Sequence, residues 1–375
     1  MRNTKILHII PGYGGGISSY VKNLISGISG KDIQMDVVSF SDYDQSFKEI
    51  VSSCGGRTFT IPSIHSGFFR MFKAYKIILR ENQYDAVHCH ISGYKGLFFM
   101  ILAKAYRIPR IFVHAHRTSD ERKKRLYHLQ VKLSQLMTTF LATNYFTCSH
   151  MAAEFIFGKN IGNSNQVIKM PNSIDVHKFV KDLPQIMKVK YLEELNIDSN
   201  TLKIGNVGRF NLQKNHNFML EIIKELKKRK INFTWIFIGE GALEKEIKSK
   251  VKNLNLEEHV RFLGRREDVS NLFHIFDVFV LPSLFEGLPT VAIESQATGI
   301  PTFLADTITP EVDMEMGLVN YLPIQDDVEE WVDCILNYKC IVIPSNEERI
   351  KSLEKNGFTL NRLGDRYEKI ILSNQ

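Results

Sequence analysis

The second half of the chain contains the stretch Val278-Phe-Val-Leu-Pro-Ser-Leu-Phe-Glu-Gly-Leu-Pro-Thr-Val-Ala-Ile-Glu294. Its first four residues form a short apolar run, which is typical of a strand buried on both faces. A Pro-Ser turn and a glycine follow, and Pro289 suits the first turn of a helix because its missing N–H costs nothing there. Strand, loop and helix in this order form the repeating unit of α/β proteins with parallel sheets.

The loop and the helix start of this stretch predict an anion-binding site. The backbone amides from Gly287 to Val291 lie around the helix start, where the helix dipole favours negative charge. Glu286 stands in the loop, and Glu294 lies far enough along the helix to accept two hydrogen bonds from a vicinal diol. One carboxylate for a sugar, one for a ribose and phosphates between them would form a nucleotide-sugar site. The candidate donor-binding residues here are Gly287, Leu288, Pro289, Thr290 and Glu294.

Strand and helix patterns alternate along the whole chain, and the pattern restarts near residue 203. The predicted strands are Lys5–Ile10, Met35–Phe40, Ala86–Ile91, Arg110–His114 and Asn144–Cys148, then Lys203–Gly208, Phe233–Ile238, Val260–Leu263, Val278–Leu281 and Pro301–Leu304. The stretch from Pro171 to about Asn200 has the composition of a connector. The sequence therefore predicts an α/β protein with two tandem doubly wound, Rossmann-like domains, residues 1–180 and 181–357. These would face a cleft, with ligands at the carboxyl ends of the strands.

A second signal is the segment Val207-Gly-Arg-Phe-Asn-Leu-Gln-Lys-Asn-His216, where a strand ends in Gly208. Arg209 and Lys214 are cations five residues apart, just before a predicted helix. Cleavage of a glycosyl phosphate leaves growing negative charge on the diphosphate, and fixed cations stabilise that charge. Arg209 and Lys214 are therefore candidate catalytic residues.

Together these segments resemble the family-four (group 1) glycosyltransferases of the GT-B fold. Glu286 and Glu294 match the family's pair of glutamates separated by seven residues, and Gly208 to Lys214 matches its G-R-x-x-x-x-K segment. Pro171-Asn-Ser-Ile-Asp175 looks like the family's P-N-G-[IV]-D, with serine in place of glycine, and Ile238-Gly-Glu-Gly241 is similar to its G-x-G turn. The likeness covers most of the chain, and residues 358–375 resemble the family's closing helix, which would pack back on the first domain.

The resemblance implies a retaining hexosyltransferase that uses a nucleotide diphosphate sugar, commonly a UDP-sugar, without a metal or other cofactor. Arg209 and Lys214 would then hold the diphosphate and Glu286 the donor sugar, with Gly208 and Gly239 in the donor site. In the front-face route, the departing phosphate oxygen takes the proton of the acceptor hydroxyl. His114-Ala-His116 and Leu304–Glu311 look most like enzymes of exopolysaccharide and capsule assembly, whose acceptors are glycans or lipid-pyrophosphate-linked sugars.

A glycine-rich loop, Gly12-Tyr-Gly-Gly-Gly16, follows the first predicted strand. Glycines allow the backbone to approach a phosphate closely. The loop fails as a dinucleotide fingerprint because Ile17 stands where the third glycine belongs, so a dinucleotide oxidoreductase is disfavoured. By the family resemblance this loop closes over the donor diphosphate, with Gly15 and Gly16 as the contacting residues; the alternative is a flexible turn.

Two His-x-His pairs, His88-Cys-His90 and His114-Ala-His116, end neighbouring predicted strands. Such pairs could ligate a metal, but the sequence shows no clear set of further ligands, so no metal site is predicted. Partly buried structural histidines are the alternative. By the resemblance His116 would face the reacting sugar as a candidate catalytic residue, with His90 and His114 on the acceptor side.

Composition and charge indicate where in the cell the protein acts and what kind of partner it meets. The five cysteines form no Cys-x-x-Cys pair, which disfavours a disulfide framework or a thiolate zinc site and favours a cytoplasmic protein. Residues 1–180 carry a net charge of +12 and the remainder −5, so the first half is expected to meet an anionic partner. The basic, aromatic helix Phe68–Arg80 and the cluster Arg122–Arg125 fit peripheral contact with the inner membrane surface; the alternative is a core-facing helix with a solvated basic face. No stacking platform or recognition motif supports nucleic acid.

Three further classes stay open. A nucleotide-sugar 2-epimerase or a phosphorylase could share this architecture. A non-catalytic partner subunit that binds glycan or stabilises a transferase is the third, although the full set of Arg209, Lys214, Glu286 and Glu294 disfavours it.

Overall fold

The computed structural model describes residues 3–63, 66–118, 127–324 and 328–372. These residues divide into two compact units. Unit 1 comprises Met1–Ser173 and Gly357–Gln375, and unit 2 comprises Ile174–Asn356. The division falls at Ser173 rather than at residue 180, because the short helix Val176–Val180 packs on helices of unit 2.

Unit 1 is built on a seven-stranded parallel sheet with the order β3-β2-β1-β4-β5-β6-β7. Its strands are β1 Thr4–Ile9, β2 Ile33–Ser39, β3 Thr58–Thr60, β4 Ala86–Cys89, β5 Arg110–Ala115, β6 Asn144–Thr147 and β7 Val167–Lys169. Its helices are α1 Gly16–Gly27, α2 Gln45–Ser53, α3 Phe68–Glu81, α4 Tyr94–Ala105, α5 Tyr127–Leu141, α6 His150–Phe157, α7 Lys159–Gly162 and α16 Leu360–Leu372. The central strands β1 and β4 are almost wholly buried, as expected for a parallel sheet covered on both faces.

The C-terminal helix α16 belongs to unit 1, where it packs on α1. Tyr367 on α16 is fully buried. Lys31 forms ion pairs of 2.6 Å with both Asp365 and Glu368 on the partly exposed side of this helix. Ser173, which replaces the family's glycine, is buried and donates its hydroxyl to the carbonyl oxygen of Gly357 at 3.3 Å, which anchors the chain just before α16.

Unit 2 contains a six-stranded parallel sheet with the order β10-β9-β8-β11-β12-β13. Its strands are β8 Leu202–Val207, β9 Phe233–Ile238, β10 Val260–Phe262, β11 Val278–Leu281, β12 Thr302–Ala305 and β13 Val319–Leu322. Its helices are α8 Val176–Val180, α9 Gln185–Glu194, α10 His216–Lys228, α11 Glu244–Asn253, α12 Val269–Phe273, α13 Thr290–Thr298, α14 Val328–Leu336 and α15 Asn346–Lys355. The two parallel sheets, each with helices between successive strands, confirm the predicted fold class.

The stretch predicted as the connector contains regular structure that the sequence analysis did not assign. Residues 171–200 include helices α8 and α9, because apolar side chains such as Val176 and Tyr191 are buried within unit 2. The short edge strands β3, β7 and β13 were not predicted from the sequence. With three or four residues each, they are too short to show a period-two pattern.

Candidate functional site

The candidate donor site of unit 2 lies where the strand order reverses. Strands β8 and β11 are neighbours in the sheet, although β9 and β10 intervene in the sequence. Because all strands are parallel, the segments after β8 and β11 emerge side by side at the carboxyl edge, which is where doubly wound sheets bind ligands. The first carries Gly208, Arg209 and Lys214, and the second carries Glu286 to Glu294.

Lys214 and Glu286 meet at this edge. The ammonium Nζ of Lys214 lies 2.7 Å from Oε1 of Glu286, and both side chains are largely buried, with 12% and 8% exposure. The other carboxylate oxygen of Glu286 accepts a hydrogen bond of 2.9 Å from Nε2 of Gln213. The sequence predicted Lys214 and Glu286 as separate ligand contacts and did not single out Gln213. The structure therefore shows a three-residue cluster that fixes both the acid and the cation.

Gln213 also joins the two segments through the backbone. Its side-chain amide donates to the carbonyl oxygen of Phe285 at 3.0 Å, and its own carbonyl accepts from the amide of Leu284 at 2.8 Å. These bonds link the turn at Leu212–Lys214 to the loop after β11. Gln213 therefore fixes the backbone just before Glu286, and Gln213 and Lys214 together fix its carboxylate.

Glu294 lies on the second turn of α13, partly buried. Loss of hydration raises the pKa of its carboxyl to about 7, and the positive charge of Lys214 acts in the opposite direction. Lys214 therefore influences both glutamates of the motif. Ionisation turns this carboxyl into a pure hydrogen-bond acceptor with both oxygens available.

Glycines shape the backbone beside Lys214. A Cβ atom on Gly208 would lie 3.0 Å from Cε of Lys214, so the missing side chain leaves room for the lysine stem. Gly239 follows β9 with φ +136°, and a Cβ there would overlap the carbonyl oxygen of Gly208. Arg209, next in sequence to Gly208, is exposed, whereas Phe210 is buried and stacks on His216 at 4.2 Å.

The start of α13 differs slightly from the prediction. Pro289 lies just before the helix in extended conformation, and Thr290 is its first residue. Gly287, Leu288 and Pro289 are buried and Thr290 is partly exposed. The backbone amides of the first turn, including that of Thr290, have no carbonyl acceptor within the helix, because no earlier turn precedes them. They can therefore donate to an anion.

In unit 1 the strand order reverses between β1 and β4, and the glycine-rich loop follows β1. The amides of Gly14 and Gly15 both donate to the hydroxyl oxygen of Ser18 at 3.0 Å. Gly16 is exposed, opens α1 and has nothing within 4 Å of the place where a Cβ would lie. Of the two predicted residues, Gly16 is thus better placed than Gly15 to offer its amide to a phosphate.

Five histidines of unit 1 form a single cluster, and it includes a member that the sequence did not single out. His8 on β1 pairs in register with His88 on β4, and its Nδ1 lies 3.0 Å from Nε2 of His90. Nδ1 of His90 lies in turn 2.9 Å from Nε2 of His116. His114 stacks on His116 with ring centroids 4.0 Å apart.

This cluster is buried and uncharged at neutral pH. Burial lowers the pKa of His8 and of His116 to about 3. Burial, followed by the neighbouring imidazoles, lowers the pKa values of His88, His90 and His114 well below the usual range. His116 retains some exposure, so within unit 1 it is the member of the cluster that can meet solvent or a ligand.

Two sets of three histidines among the described residues have ring nitrogens within 4.8 Å of one another: His8, His88 and His90, and His90, His114 and His116. Hydrogen bonds already engage both nitrogens of His90. The nearly parallel rings of His114 and His116, at an interplanar angle of 21°, direct their in-plane lone pairs side by side rather than toward one point. The arrangement fits a stacked set of neutral imidazoles better than a metal centre.

Comparisons with known proteins agree with this fold. Residues 14–178 match the family model described as Glycosyltransferase Family 4, and residues 187–350 match Glycosyl transferases group 1. The chain is 32% identical over 361 residues to the putative glycosyltransferase EpsF of Bacillus subtilis strain 168, covering 94% of this chain and 92% of that protein.

A further relative and a solved structure extend the comparison. The chain is 26% identical to the Escherichia coli UDP-Gal:alpha-D-GlcNAc-diphosphoundecaprenol alpha-1,3-galactosyltransferase, covering 80% of this chain and 78% of that one. The crystal structure of Anabaena HepE with UDP and glucose superposes with a TM-score of 0.80 at 16% identity, covering 99% and 100% of the two chains.

The two doubly wound sheets form a GT-B fold, and the family models that match both units define the protein as a glycosyltransferase. The chain belongs to the group 1, family 4 glycosyltransferases.

Proposed function

We propose that this enzyme transfers a sugar from a UDP-sugar, with retention of anomeric configuration and without a metal, to a glycan or lipid-pyrophosphate-linked acceptor in polysaccharide assembly. The observation that carries the proposal is the Lys214–Glu286 pair of 2.7 Å, with Glu294 within the electrostatic reach of Lys214. The diphosphoundecaprenol-linked acceptor of the E. coli relative supports the acceptor class. UDP in the HepE structure supports the nucleotide.

In the proposed reaction the bond between the anomeric carbon and the phosphate oxygen breaks, and the acceptor oxygen bonds to the anomeric carbon on the same face. The acceptor proton passes to the departing phosphate oxygen. Lys214 and Arg209 offset the growing charge on the diphosphate, as fixed cations do in a shielded site. Glu286, held by Gln213, accepts hydrogen bonds from the donor sugar, and ionised Glu294 accepts them from the ribose.

In this scheme Lys214 pairs with Glu286 before the donor binds and with the diphosphate afterwards. Without ligand its charge is compensated by Glu286. A diphosphate brings stronger negative charge to the ammonium group, so Lys214 can turn toward it and free one oxygen of Glu286 for a sugar hydroxyl. Gln213 keeps the carboxylate in place while this exchange occurs. In unit 1, Gly15, Gly16 and His116 keep their predicted roles as part of the proposal. His90 and His114, predicted on the acceptor side, are fully buried, so in the proposal they position His116 rather than touch the acceptor.

The double variant Arg209→Ala/Lys214→Ala tests the assignment. Loss of one such donor typically costs about 10²–10³ in rate, so we expect turnover to fall at least that far. The matched control is Lys224→Ala/Lys228→Ala, which removes the same charge from the exposed part of α10. Full activity in the first variant would end the assignment.

The donor and the stereochemistry are measured separately. A panel of UDP- and GDP-sugars is screened for thermal stabilisation, because a ligand that binds only the folded state raises the melting temperature. Nuclear magnetic resonance of the product reports the anomeric configuration, in buffer with and without chelator. A donor sugar that changes configuration when no acceptor is present would indicate the epimerase instead.

A further inference from the structure

Helix α5 presents an apolar stripe to solvent. Leu129, Leu133, Leu136 and Phe140 are 66%, 58%, 66% and 70% exposed. Their spacing of four, three and four residues places all four on one side of the helix. Exposed apolar side chains scattered singly are normal on a protein surface, but four in register on one helix are not.

The buried side of α5 is in large part polar, although Leu141, at 7% exposure, also lies there. Ser134 and Thr138 are 8% and 2% exposed, and Gln135 donates a hydrogen bond of 2.9 Å to the backbone carbonyl of Phe155 on α6. A helix at the surface of a protein in water normally turns its apolar side inward. In α5 the stripe Leu129, Leu133, Leu136 and Phe140 faces outward instead, so this side suits an apolar partner rather than bulk water.

Helices α3 and α4 continue this surface. Phe68 on α3 contacts Phe98 on α4 with ring centroids 5.3 Å apart, and α4 packs on α5. The ammonium of Lys104 on α4 lies 4.5 Å from the ring centre of Phe140 on α5. We call the outer apolar face the set of exposed side chains on the three helices: Phe68, Phe69, Tyr94, Ile101, Leu129, Leu133, Leu136 and Phe140.

Charge distinguishes the partners that this face can meet. The three helices carry one carboxylate, Glu81, against seven cations: Arg70, Lys73, Lys76, Arg80, Lys95, Lys104 and Lys132. A symmetric pair of copies joined through this face would bring the two sets of cations together, which is unfavourable. An anionic lipid surface complements both the cations and the apolar side chains, since long basic side chains can reach head groups while apolar ones enter the acyl boundary.

We propose that the outer apolar face seats the enzyme on an anionic bilayer, with the stripe of α5 inserted among the lipids. A lipid-linked acceptor lies at such a surface, so the purpose of this membrane contact rests on the proposed function. The main membrane contact thus moves from α3, which the sequence favoured, to α5. The basic cluster Arg122–Arg125 of the sequence prediction lies outside the described residues. None of the helices in the described ranges is long and apolar enough to cross a membrane.

The experiment measures binding of the full chain to vesicles, without nucleotide or acceptor. Vesicles of phosphatidylcholine with and without about one-third phosphatidylglycerol are sedimented with wild type and with Leu133→Gln/Leu136→Gln. The matched control is Val342→Gln/Ile343→Gln, because these two side chains of unit 2 are also exposed, at 83% and 58%. Transfer to a water-soluble acceptor is assayed in parallel.

We expect wild type and the control to bind the anionic vesicles, and the α5 variant to bind them at least about tenfold more weakly. Soluble-acceptor transfer should be equal in all three. A second readout uses Leu133→Trp, whose fluorescence should shift to the blue with anionic vesicles, whereas that of Val342→Trp should not.

Undiminished vesicle binding by the α5 variant would overturn the inference, as would an unshifted Leu133→Trp signal. The face would be assigned to a second copy of the chain if two results came together. Wild type would fail to bind vesicles, and it would form a dimer in solution that the α5 variant does not form. If wild type bound the anionic vesicles but transferred no sugar to the soluble acceptor, the proposed function would be contradicted. The membrane-binding role of the outer apolar face would still be supported.

Discussion

Glu294 is placed where ionisation is costly before a ligand arrives. Partial burial raises the pKa of its carboxyl to about 7, from an ordinary value of 4.5. The folded state therefore holds the proton more tightly than the unfolded state does. The stability that this carboxyl contributes is fully present below about pH 4.5 and is lost as the pH rises through about 7.

We expect Glu294→Gln to remove this loss while weakening UDP binding. At pH 8 the variant should be more stable than wild type by about 1–3 kcal/mol, because each unit of pKa shift corresponds to about 1.4 kcal/mol. Urea unfolding at pH 5 and pH 8, with calorimetric titration of UDP, measures both effects. Glu246→Gln, on the exposed side of α11, serves as control and should change stability little. Equal pH dependence in wild type and Glu294→Gln would contradict the prediction.

The clustering of Gln213, Lys214 and Glu286 illustrates what sequence reasoning omits at this scale. Lys214 and Glu286 each belong to a motif, and both were predicted. Gln213 lies between the motif residues and carries no charge, so only its hydrogen bonds to Glu286 and Phe285 identify it.

At the scale of elements, the loops after β8 and β9 fit together without side chains. Gly239 has φ +136°, and a Cβ there would overlap the carbonyl oxygen of Gly208. The loop that carries Arg209 and Lys214 thus depends on a glycine in a neighbouring loop. Gly264 also has positive φ, at +63°, but the nearest atom to its hypothetical Cβ is Oε1 of Glu240 at 3.9 Å.

Gly239→Ala and Gly264→Ala form a matched pair. Gly264→Ala should cost about 1–2 kcal/mol, the price of a left-handed conformation, with nucleotide binding retained. Gly239→Ala should cost clearly more and abolish nucleotide binding, because the Gly208 backbone must move. Pulse proteolysis in urea gives both stabilities even at low yield, and UDP titration gives the binding. Similar effects from the two substitutions would show that the contact with Gly208 does not matter.

The central strands could be predicted because their apolar runs are four to six residues long and buried on both faces, as in β9 and β11. The edge strands β3, β7 and β13 and the connector helices could not. Their residues are only half-buried or polar, so packing against the rest of a unit decides their structure.

At the scale of the whole molecule, the two units respond differently to acid. Among the described side chains, unit 1 has five buried histidines whose pKa values are all lowered by burial: His8, His88, His90, His114 and His116. Unit 2 has two histidines of this kind, His216 and His274, with pKa values of about 4. A histidine that stays neutral when folded contributes stability that is present above pH 6.5 and lost as the pH falls below it.

We therefore expect unit 1 to lose stability faster than unit 2 between pH 6.5 and pH 5. Each buried histidine can lose up to about 1.4 kcal/mol per pH unit, so five outweigh two. Calorimetry across this range, with limited proteolysis to locate the first cleavages, measures the order of unfolding. The exposed His177 provides a control, since His177→Gln should leave the profile unchanged. First cleavage within unit 2 at pH 5 would contradict the expectation.

The sequence by itself determined the α/β class, the two parallel sheets and the membership of the transferase family, because these depend on local apolar runs and short motifs. Tertiary structure alone decided which distant residues meet. The register of β1 with β4 places His8 beside His88, and the strand order places Gln213 beside Glu286. Likewise, only the packing of α5 shows that Ser134 and Thr138 face inward while Leu129, Leu133 and Leu136 face outward. Periodicity gives the faces of a helix, but the neighbouring elements determine which face is covered.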